Sequence, residues 1–184
     1  MNNTNEYLPF PNKKYKIIYA DPPWSYRDKA GAGERGACFK YDVQGKDWID
    51  NLPVSDIADD DCVLFLWVTM PKLNECWELI QKWGFEYKTV AFTWIKRNKK
   101  TPSLFWGMGN WTRANAEVCL LATRGKPKRV NAGVHSVIES PIGRHSEKPD
   151  EVRHRIVELL GDIPRIELFA REAFDGWDCW GNEV

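Results

Sequence analysis

Short apolar segments, separated by helix patterns and long polar loops, constrain how this chain can fold. Runs typical of buried strands cover residues 15–20, 62–68, 87–96, 116–124 and 165–170. Apolar residues at helical spacing mark 71–83, with Gly84 just beyond, and 148–161, which ends at Gly161. Strands that alternate with helices and loops predict an α/β fold around a mostly parallel sheet.

Two long segments, 25–46 and 97–114, read as loops. The first contains four glycines and the second carries the sequence PSLFWGMGNWTR. Loops of this length in a compact domain are usually functional or disordered. The chain has 184 residues and shows no repeat or linker, so we expect one domain, 1–184.

Composition narrows the class of protein. Hydrophobic residues make up 43% and charged residues 28%, as in soluble globular proteins. No apolar run is as long as a membrane span, and the first 14 residues lack the apolar segment of a secretory signal. We therefore expect a cytoplasmic protein.

The cysteines and histidines suggest neither disulfides nor a metal site. The five cysteines form no CxxC pair, and the three histidines lack metal-site spacing. Cys62, Cys76 and Cys119 lie within apolar patterns and are expected in the core.

Charge and aromatic residues raise the question of nucleic acid. Formal charge is zero, but KRNKK (96–100) and RGKPKR (124–129) are basic. These segments could form one phosphate-binding face or be two solvated loops, and composition alone leaves both open. Ten tryptophans are present, of which Trp24, Trp106 and Trp111 stand in polar contexts suited to stacking on a base.

The stretch IIYADPPWSY (17–26) ends a strand with an acid, two prolines and an exposed-looking Trp24. Ligands of open α/β sheets bind beyond the carboxyl ends of the strands, where Asp21 would lie. Pro22 and Pro23 have no N–H, so the turn offers acceptors and is stiff. Such acceptors suit an amino group on a planar ring. A rigid turn without further function explains the same residues equally well.

ADPPW resembles the catalytic motif of adenine N6-methyltransferases, the family of the eukaryotic mRNA adenosine methyltransferase and of phage and bacterial DNA methyltransferases. The resemblance continues in order through VLFLWVT, WGFEYKTVAFTWIK, GNWTRANAEVCLLATRGKP, HSEKPDEV, RIELFARE and GWDCWGNEV. It covers nearly the whole chain, and NWTRANAE and GWDCWGNEV are most similar to the short phage and bacterial members. It implies a Rossmann-like sheet with helices on both faces and a permuted order, with the catalytic motif before the cofactor strand 165–170.

The resemblance also implies S-adenosyl-L-methionine as cofactor and adenine N6 as acceptor. It assigns the catalytic positions to Asp21, Pro22, Pro23 and Trp24. The cofactor positions are Asp21, Lys148, Glu167, Leu168, Phe169, Arg171 and Asn182; Lys148 would meet the methionine carboxylate, unless it is only a solvated charge. The candidate substrate-binding residues are Tyr26, Trp94, Lys96, Trp111, Arg113 and Glu117. Glu183 stands where the eukaryotic enzyme has glutamine, and no metal is implied.

Several functions fit this resemblance. DNA is favoured over RNA because the chain carries no RNA-binding module such as CCCH zinc fingers. A non-catalytic nucleic-acid-binding partner would lose the Asp and the aromatic residue of the motif, which are intact here. Methylation of a small molecule or of a protein amide is a further alternative.

Overall fold

A single sheet organises the computed structural model, which describes residues 9–24, 46–109, 111–144 and 147–184. Its strands within these ranges are β1 (Tyr15–Ala20), β2 (Ala58–Val68), β3 (Glu86–Arg97), β4 (Ala116–Arg124), β5 (Val137–Pro141), β6 (Arg165–Leu168) and β7 (Asp178–Trp180). Their order across the sheet is β5-β3-β4-β2-β1-β6-β7.

Strand direction decides which loops can meet. β1 is parallel to β2 and β6, β6 to β7, and β3 to β5, whereas β4 is antiparallel to β2 and β3. The six strands other than β4 therefore end at the same side of the sheet, which we call the carboxyl edge, and β4 begins there. β4 ends at the opposite side, the amino edge.

Helices cover both faces of the sheet, as expected for the Rossmann-like fold. They are α1 (Lys46–Asp50), α2 (Val54–Ile57), α3 (Leu73–Lys82) and α4 (Glu151–Leu160). Side chains of a strand alternate between faces, so Ile18 packs with Leu79 of α3, whereas Ile17 packs with Ile156 of α4. Burial of both faces explains why β1 and β2 are apolar almost throughout.

Several elements differ in extent from those predicted. β2 begins at Ala58 instead of 62, because Ala58 pairs with Tyr15 of β1; the register shifts over the stretch that contains the exposed acids Asp60 and Asp61. α4 begins at Glu151, after Pro149, and β6 ends at Leu168 because Phe169 has left-handed backbone (φ 63°). The elements β5, β7, α1 and α2 were not predicted; each has five residues or fewer, too few to show a periodic pattern.

Side-chain placement agrees with the sequence for the cysteines and differs for one tryptophan. Cys62, Cys76 and Cys119 are buried, as predicted. Trp77, grouped with the apolar residues of the 71–83 helix, is instead 39% exposed and packs edge-on against Tyr87. No helix within the described ranges is long and apolar enough to cross a membrane.

The two predicted loops have different outcomes. Most of 25–46 lies outside the described residues, although Lys46 starts α1. Segment 97–114 begins as a turn in which Arg97 pairs with Leu104, and the Asn115 amide donates to the carbonyls of Lys96 and Phe105. This part of the loop is therefore fastened to the end of β3.

Candidate active site

The turn after β1 is rigid, as the two prolines predict. The Trp24 N–H donates to the Pro22 carbonyl (2.8 Å), and the Trp24 indole N–H donates to the Trp67 carbonyl of β2 (3.1 Å). Trp24 is only 8% exposed, so the expectation of an exposed aromatic plane was wrong. Its ring belongs to the core and fixes the turn, which leaves the Asp21 side chain, 26% exposed, at the carboxyl edge.

A row of alternating charges extends from Asp21. Lys148 Nζ lies 2.6 Å from Asp21 Oδ2 and 3.5 Å from Glu117 Oε2. The other Glu117 oxygen, Oε1, is paired with Lys96. Four residues from β1, β3, β4 and the segment before α4 thus meet at one place. The structure brings together four residues with different predicted roles. Asp21 was predicted to be catalytic, Lys148 to bind the cofactor, and Lys96 and Glu117 to bind the substrate.

Burial and pairing shift the ionisation of this row. Burial raises the pKa of Asp21, and the Lys148 ammonium only partly opposes it. Burial raises the pKa of Glu117 as well, but Lys148 and Lys96 outweigh it and hold this pKa below its usual range. Burial lowers the pKa of Lys148, yet its two carboxylate neighbours keep it above the ordinary value. Lys148 is therefore a cation, and of the two acids Asp21 takes up a proton more readily.

Lys148 is not a solvated charge. Its side chain is 8% exposed, and its ammonium lies 5.5 Å from the centre of the Trp67 ring. That alternative from the sequence was wrong. Lys148 contacts Asp21 and Glu117, and a contact with a cofactor carboxylate stays a prediction.

A cavity of about 230 Å³ opens beside Lys148. Its wall includes Trp94, Ser140, Pro141, Gly143, Glu147, Lys148, Pro149, Asp150 and Glu151. Trp94 is buried and donates its indole N–H to the Ser140 carbonyl (3.1 Å), which fixes the ring in the wall. The Ser140 hydroxyl oxygen is buried and has no hydrogen-bond partner among the residues that the structure describes. An orphaned hydroxyl beside a rigid aromatic wall suits a planar polar guest.

Two of the predicted cofactor residues, Glu167 and Leu168, lie on β6. Glu167 is buried, and both of its oxygens accept from Arg153 of α4 (2.6 and 2.8 Å). Burial raises the pKa of Glu167, and Arg153 opposes this. Leu168 is a core residue with no exposed surface. A ribose contact by Glu167, and any direct cofactor contact by Leu168, stay predictions.

The chain turns sharply after β6. Phe169 is a bulky residue at positive φ, a conformation that occurs mostly at functional sites, and Trp48 and Trp180 pack against its ring. Arg171 follows, with Glu183 at 3.9 Å. Half-buried Asn182 lies just after β7, at the same edge. The structure therefore places Phe169, Arg171 and Asn182 near one another in the fold, at the carboxyl edge that holds Asp21.

The predicted substrate residues differ widely in exposure. Trp111 is 99% exposed, Trp106 is 61% exposed, and Arg113 is also exposed. Trp94 is buried and Lys96 is paired, so neither is presented to solvent as a loop residue would be. Tyr26 lies outside the described residues.

The two basic segments do not flank one groove, contrary to one of the sequence hypotheses. Residues 96–100 include the end of β3 and lie at the carboxyl edge, whereas 124–129 begin at the last residue of β4 and lie at the amino edge, because β4 is antiparallel to its neighbours. Arg97 is also paired with Glu139. The exposed cations of the segment 97–114 are Lys99, Lys100 and Arg113, which lie at the carboxyl edge between the end of β3 and the start of β4.

Sequence reasoning missed Arg153, Ser140 and Thr69. Arg153 lies next to the apolar face of α4 and its partner is 14 residues away, so nothing in the local pattern marks it. The Thr69 hydroxyl, just after β2, is buried and, like that of Ser140, has no hydrogen-bond partner within the described ranges. Among the described residues there is no group of three or more His, Cys, Asp or Glu side chains that could hold a metal ion.

Comparison with known proteins identifies the family of this chain. A sequence model of the MT-A70 family matches residues 15–183. The chain is 36% identical to the type II methyltransferase M.MunI of a Mycoplasma species, over all of this chain and 84% of that protein. It is 29% identical to the human N(6)-adenosine-methyltransferase catalytic subunit METTL3, over 93% of this chain. The chain spans only 28% of the length of METTL3.

Proposed function

Because the chain belongs to the MT-A70 family of adenine N6-methyltransferases, we propose that its carboxyl edge binds S-adenosyl-L-methionine and an adenine of DNA, with Asp21 as the catalytic residue. The observation that carries this proposal is the convergence of Asp21, Lys148 and Glu117 beside a cavity at the carboxyl ends of parallel strands. DNA is proposed because the chain covers most of M.MunI and its motifs resemble those of the short DNA-acting members.

The residues at this edge fit the cofactor by their chemistry. S-adenosyl-L-methionine has a carboxylate, an ammonium group, ribose hydroxyls and a purine, and when bound it supplies an electrophilic methyl group. Lys148 and Arg171 would form ion pairs with its carboxylate, and Asp21 would form an ion pair with its ammonium group. The buried Thr69 hydroxyl finds no partner in the part of the chain that the structure describes, as expected at a site that is completed by a polar ligand.

Asp21 would act on the amino group of adenine. The lone pair of that nitrogen is delocalised into the ring, and positive charge develops on the nitrogen as it attacks. A carboxylate acceptor, fixed by the rigid turn, stabilises this charge without having to reorganise. The Pro22 carbonyl, which already accepts from the Trp24 N–H, has a second lone pair for the other N–H bond. Asp21 must be ionised for this role.

The cavity beside Trp94 and Lys148 would hold the adenine ring. A base in a duplex must leave the stack to reach Asp21, and exposed aromatics and cations at the same edge could hold the displaced strand. Trp106, Trp111 and Arg113 meet this requirement, together with Lys99 and Lys100.

The test is incubation of the purified protein with radiolabelled S-adenosyl-L-methionine and either DNA, RNA or neither, followed by nucleoside analysis. We expect labelled N6-methyladenine in DNA. Asp21→Ala should lower the rate by roughly 10²–10³-fold, because one preorganised acceptor is lost. Label only in RNA would make RNA the acceptor, and a folded Asp21→Ala protein with full activity would remove Asp21 from catalysis.

A further inference from the structure

Lys96 occupies a position that the proposed reaction does not explain. Its ammonium pairs with Glu117 Oε1 and lies 5.0 Å from the centre of the Trp94 ring, and its side chain is only 19% exposed. Its backbone is also fixed: the N–H donates to the Asn115 carbonyl (3.2 Å), and the carbonyl accepts from the Phe105 N–H (2.9 Å). A residue held at this many points is not a mobile surface lysine.

The charges of the row depend on Lys96. Asp21, Lys148 and Glu117 alone carry one positive and two negative charges when ionised, in a place where little water remains. Two partly buried carboxylates that share one ammonium favour retention of a proton. Lys96 supplies the second positive charge, so that all four groups can be ionised together.

We propose that Lys96 is a positioning residue that acts through Glu117 and Lys148 to keep Asp21 ionised and oriented for the amino group of adenine. By holding Glu117 Oε1, Lys96 directs Oε2 toward Lys148, whose ammonium stays close to Asp21. This inference rests on the proposed role of Asp21. It replaces the phosphate contact expected of a basic loop residue, because the Lys96 ammonium already has a carboxylate partner.

Other charges also face this row. Among the described residues, the groups that influence Asp21 besides Lys148 and Glu117 are Arg171 after β6, Glu167 on β6 and Cys119 on β4. Burial raises the pKa of the Cys119 thiol well above its usual value, so it stays neutral. Lys96 therefore affects Asp21 mainly through Glu117, and removal of Glu117 should uncouple the two.

The decisive experiment follows the side-chain carboxyl carbons of Asp21 and Glu117 by ¹³C NMR during a pH titration of the protein without ligands. In Lys96→Met we expect the titration midpoints of Asp21 and Glu117, treated as a coupled pair, to rise by about one pH unit. This is the usual effect of losing a close opposite charge. The acid limb of the kcat profile should move in the same direction. Lys96→Arg keeps the positive charge, so both midpoints should lie close to those of the unaltered protein.

Matched variants separate this role from a structural one. Lys88→Met removes a lysine from the same strand, where it pairs with exposed Glu86, and should change neither the titration nor the rate profile. In a Glu117→Gln background, Lys96→Met should leave the Asp21 titration unchanged. If Lys96→Met does not fold, Lys96→Gln, which keeps a donor without the charge, replaces it.

Three outcomes distinguish the possibilities. An unshifted carboxyl titration in a folded Lys96→Met protein would overturn the proposal. An unshifted titration with weakened DNA binding would overturn it as well, in favour of a phosphate contact. The third outcome is a shifted titration in Lys96→Met together with no methyl transfer by the unaltered protein. It would support the charge coupling and refute the proposed function.

Discussion

At the scale of single residues, Lys148 joins the two acids of the site. It lies against Asp21 and Glu117 and is almost fully buried, so its loss would leave two carboxylates close together without a shared cation. The carboxylates would then be harder to ionise. Lys148 thus affects the proton affinity of Asp21 as well as any cofactor that it contacts, and the sequence suggested only the second effect.

Lys148→Ala is therefore expected to alter both chemistry and cofactor affinity. The pKa of Asp21 is already raised by burial, so activity of the unaltered protein should fall with decreasing pH at a midpoint above the usual value of about 4. Protonated Asp21 cannot accept the amino proton, and the variant should lose activity at still higher pH, by about one to three units. The pH dependence of kcat measures the first effect, and calorimetry with S-adenosylhomocysteine measures the second. Unchanged affinity together with a shifted profile would restrict Lys148 to the charge row.

At the scale of elements, the approach of β7 to the end of β6 shapes the cofactor side. The Ala170 N–H donates to the Trp180 carbonyl (3.0 Å), and Phe169 adopts left-handed backbone immediately before it. A Cβ at Gly181 would overlap the backbone carbonyl of Ala170. Glycine is needed at this position because two backbones meet there, not because of its own φ angle. The contact between the ends of β6 and β7 thus fixes the end of β6 and also shapes the cofactor side of the site.

Gly181→Ala should destabilise the protein by about 1–3 kcal/mol, the usual effect of forcing extra atoms into a packed region. It should also weaken S-adenosylhomocysteine binding, since the ends of β6 and β7 must separate. Thermal unfolding and calorimetry are the measurements. Gly133→Ala is the control: that glycine lies in an exposed loop, where a Cβ meets only the side chain of Asn131. Equal stability of the two variants would show that the β6–β7 contact can relax.

At the scale of the whole molecule, the direction of β4 divides the basic residues into two groups. Lys99, Lys100 and Arg113 lie at the carboxyl edge with Asp21, and Lys126, Lys128 and Arg129 lie at the amino edge. The formal net charge of zero conceals this division. Of these two groups, only the first should contact DNA phosphates.

Salt titration of DNA binding tests this division. Each phosphate contact adds about −0.9 to the slope of log affinity against log salt for duplex DNA. Replacing Lys99, Lys100 and Arg113 by Gln should flatten the slope by about 2 to 3 units and leave affinity for S-adenosylhomocysteine unchanged. The same replacement at Lys126, Lys128 and Arg129 should leave the slope as it was. The opposite pattern would mean that DNA reaches the protein from the amino edge.

The sequence predicted the main strands, α3, α4, the family resemblance and the position of Asp21, because apolar periodicity and the ADPPW motif are local features. It could not predict that Trp24 is buried, since that depends on the carbonyl of Trp67 in another strand. Nor could it predict the Lys96–Glu117 and Arg153–Glu167 pairs, each of which depends on which elements become neighbours. The position of segment 124–129 depended on whether β4 runs parallel or antiparallel to its neighbours. The amino-acid composition of a strand does not reveal its direction in the sheet.

The opposite orientation of β4 also makes this protein suited to engineering. The turn after Arg124 lies the length of a strand, roughly 30 Å, from the end that holds Asp21. A fluorescent or sequence-targeting module inserted there would project from the amino edge of the sheet. Such a fusion would direct methylation to chosen loci and leave unobstructed the carboxyl edge, where we propose that the nucleic acid binds.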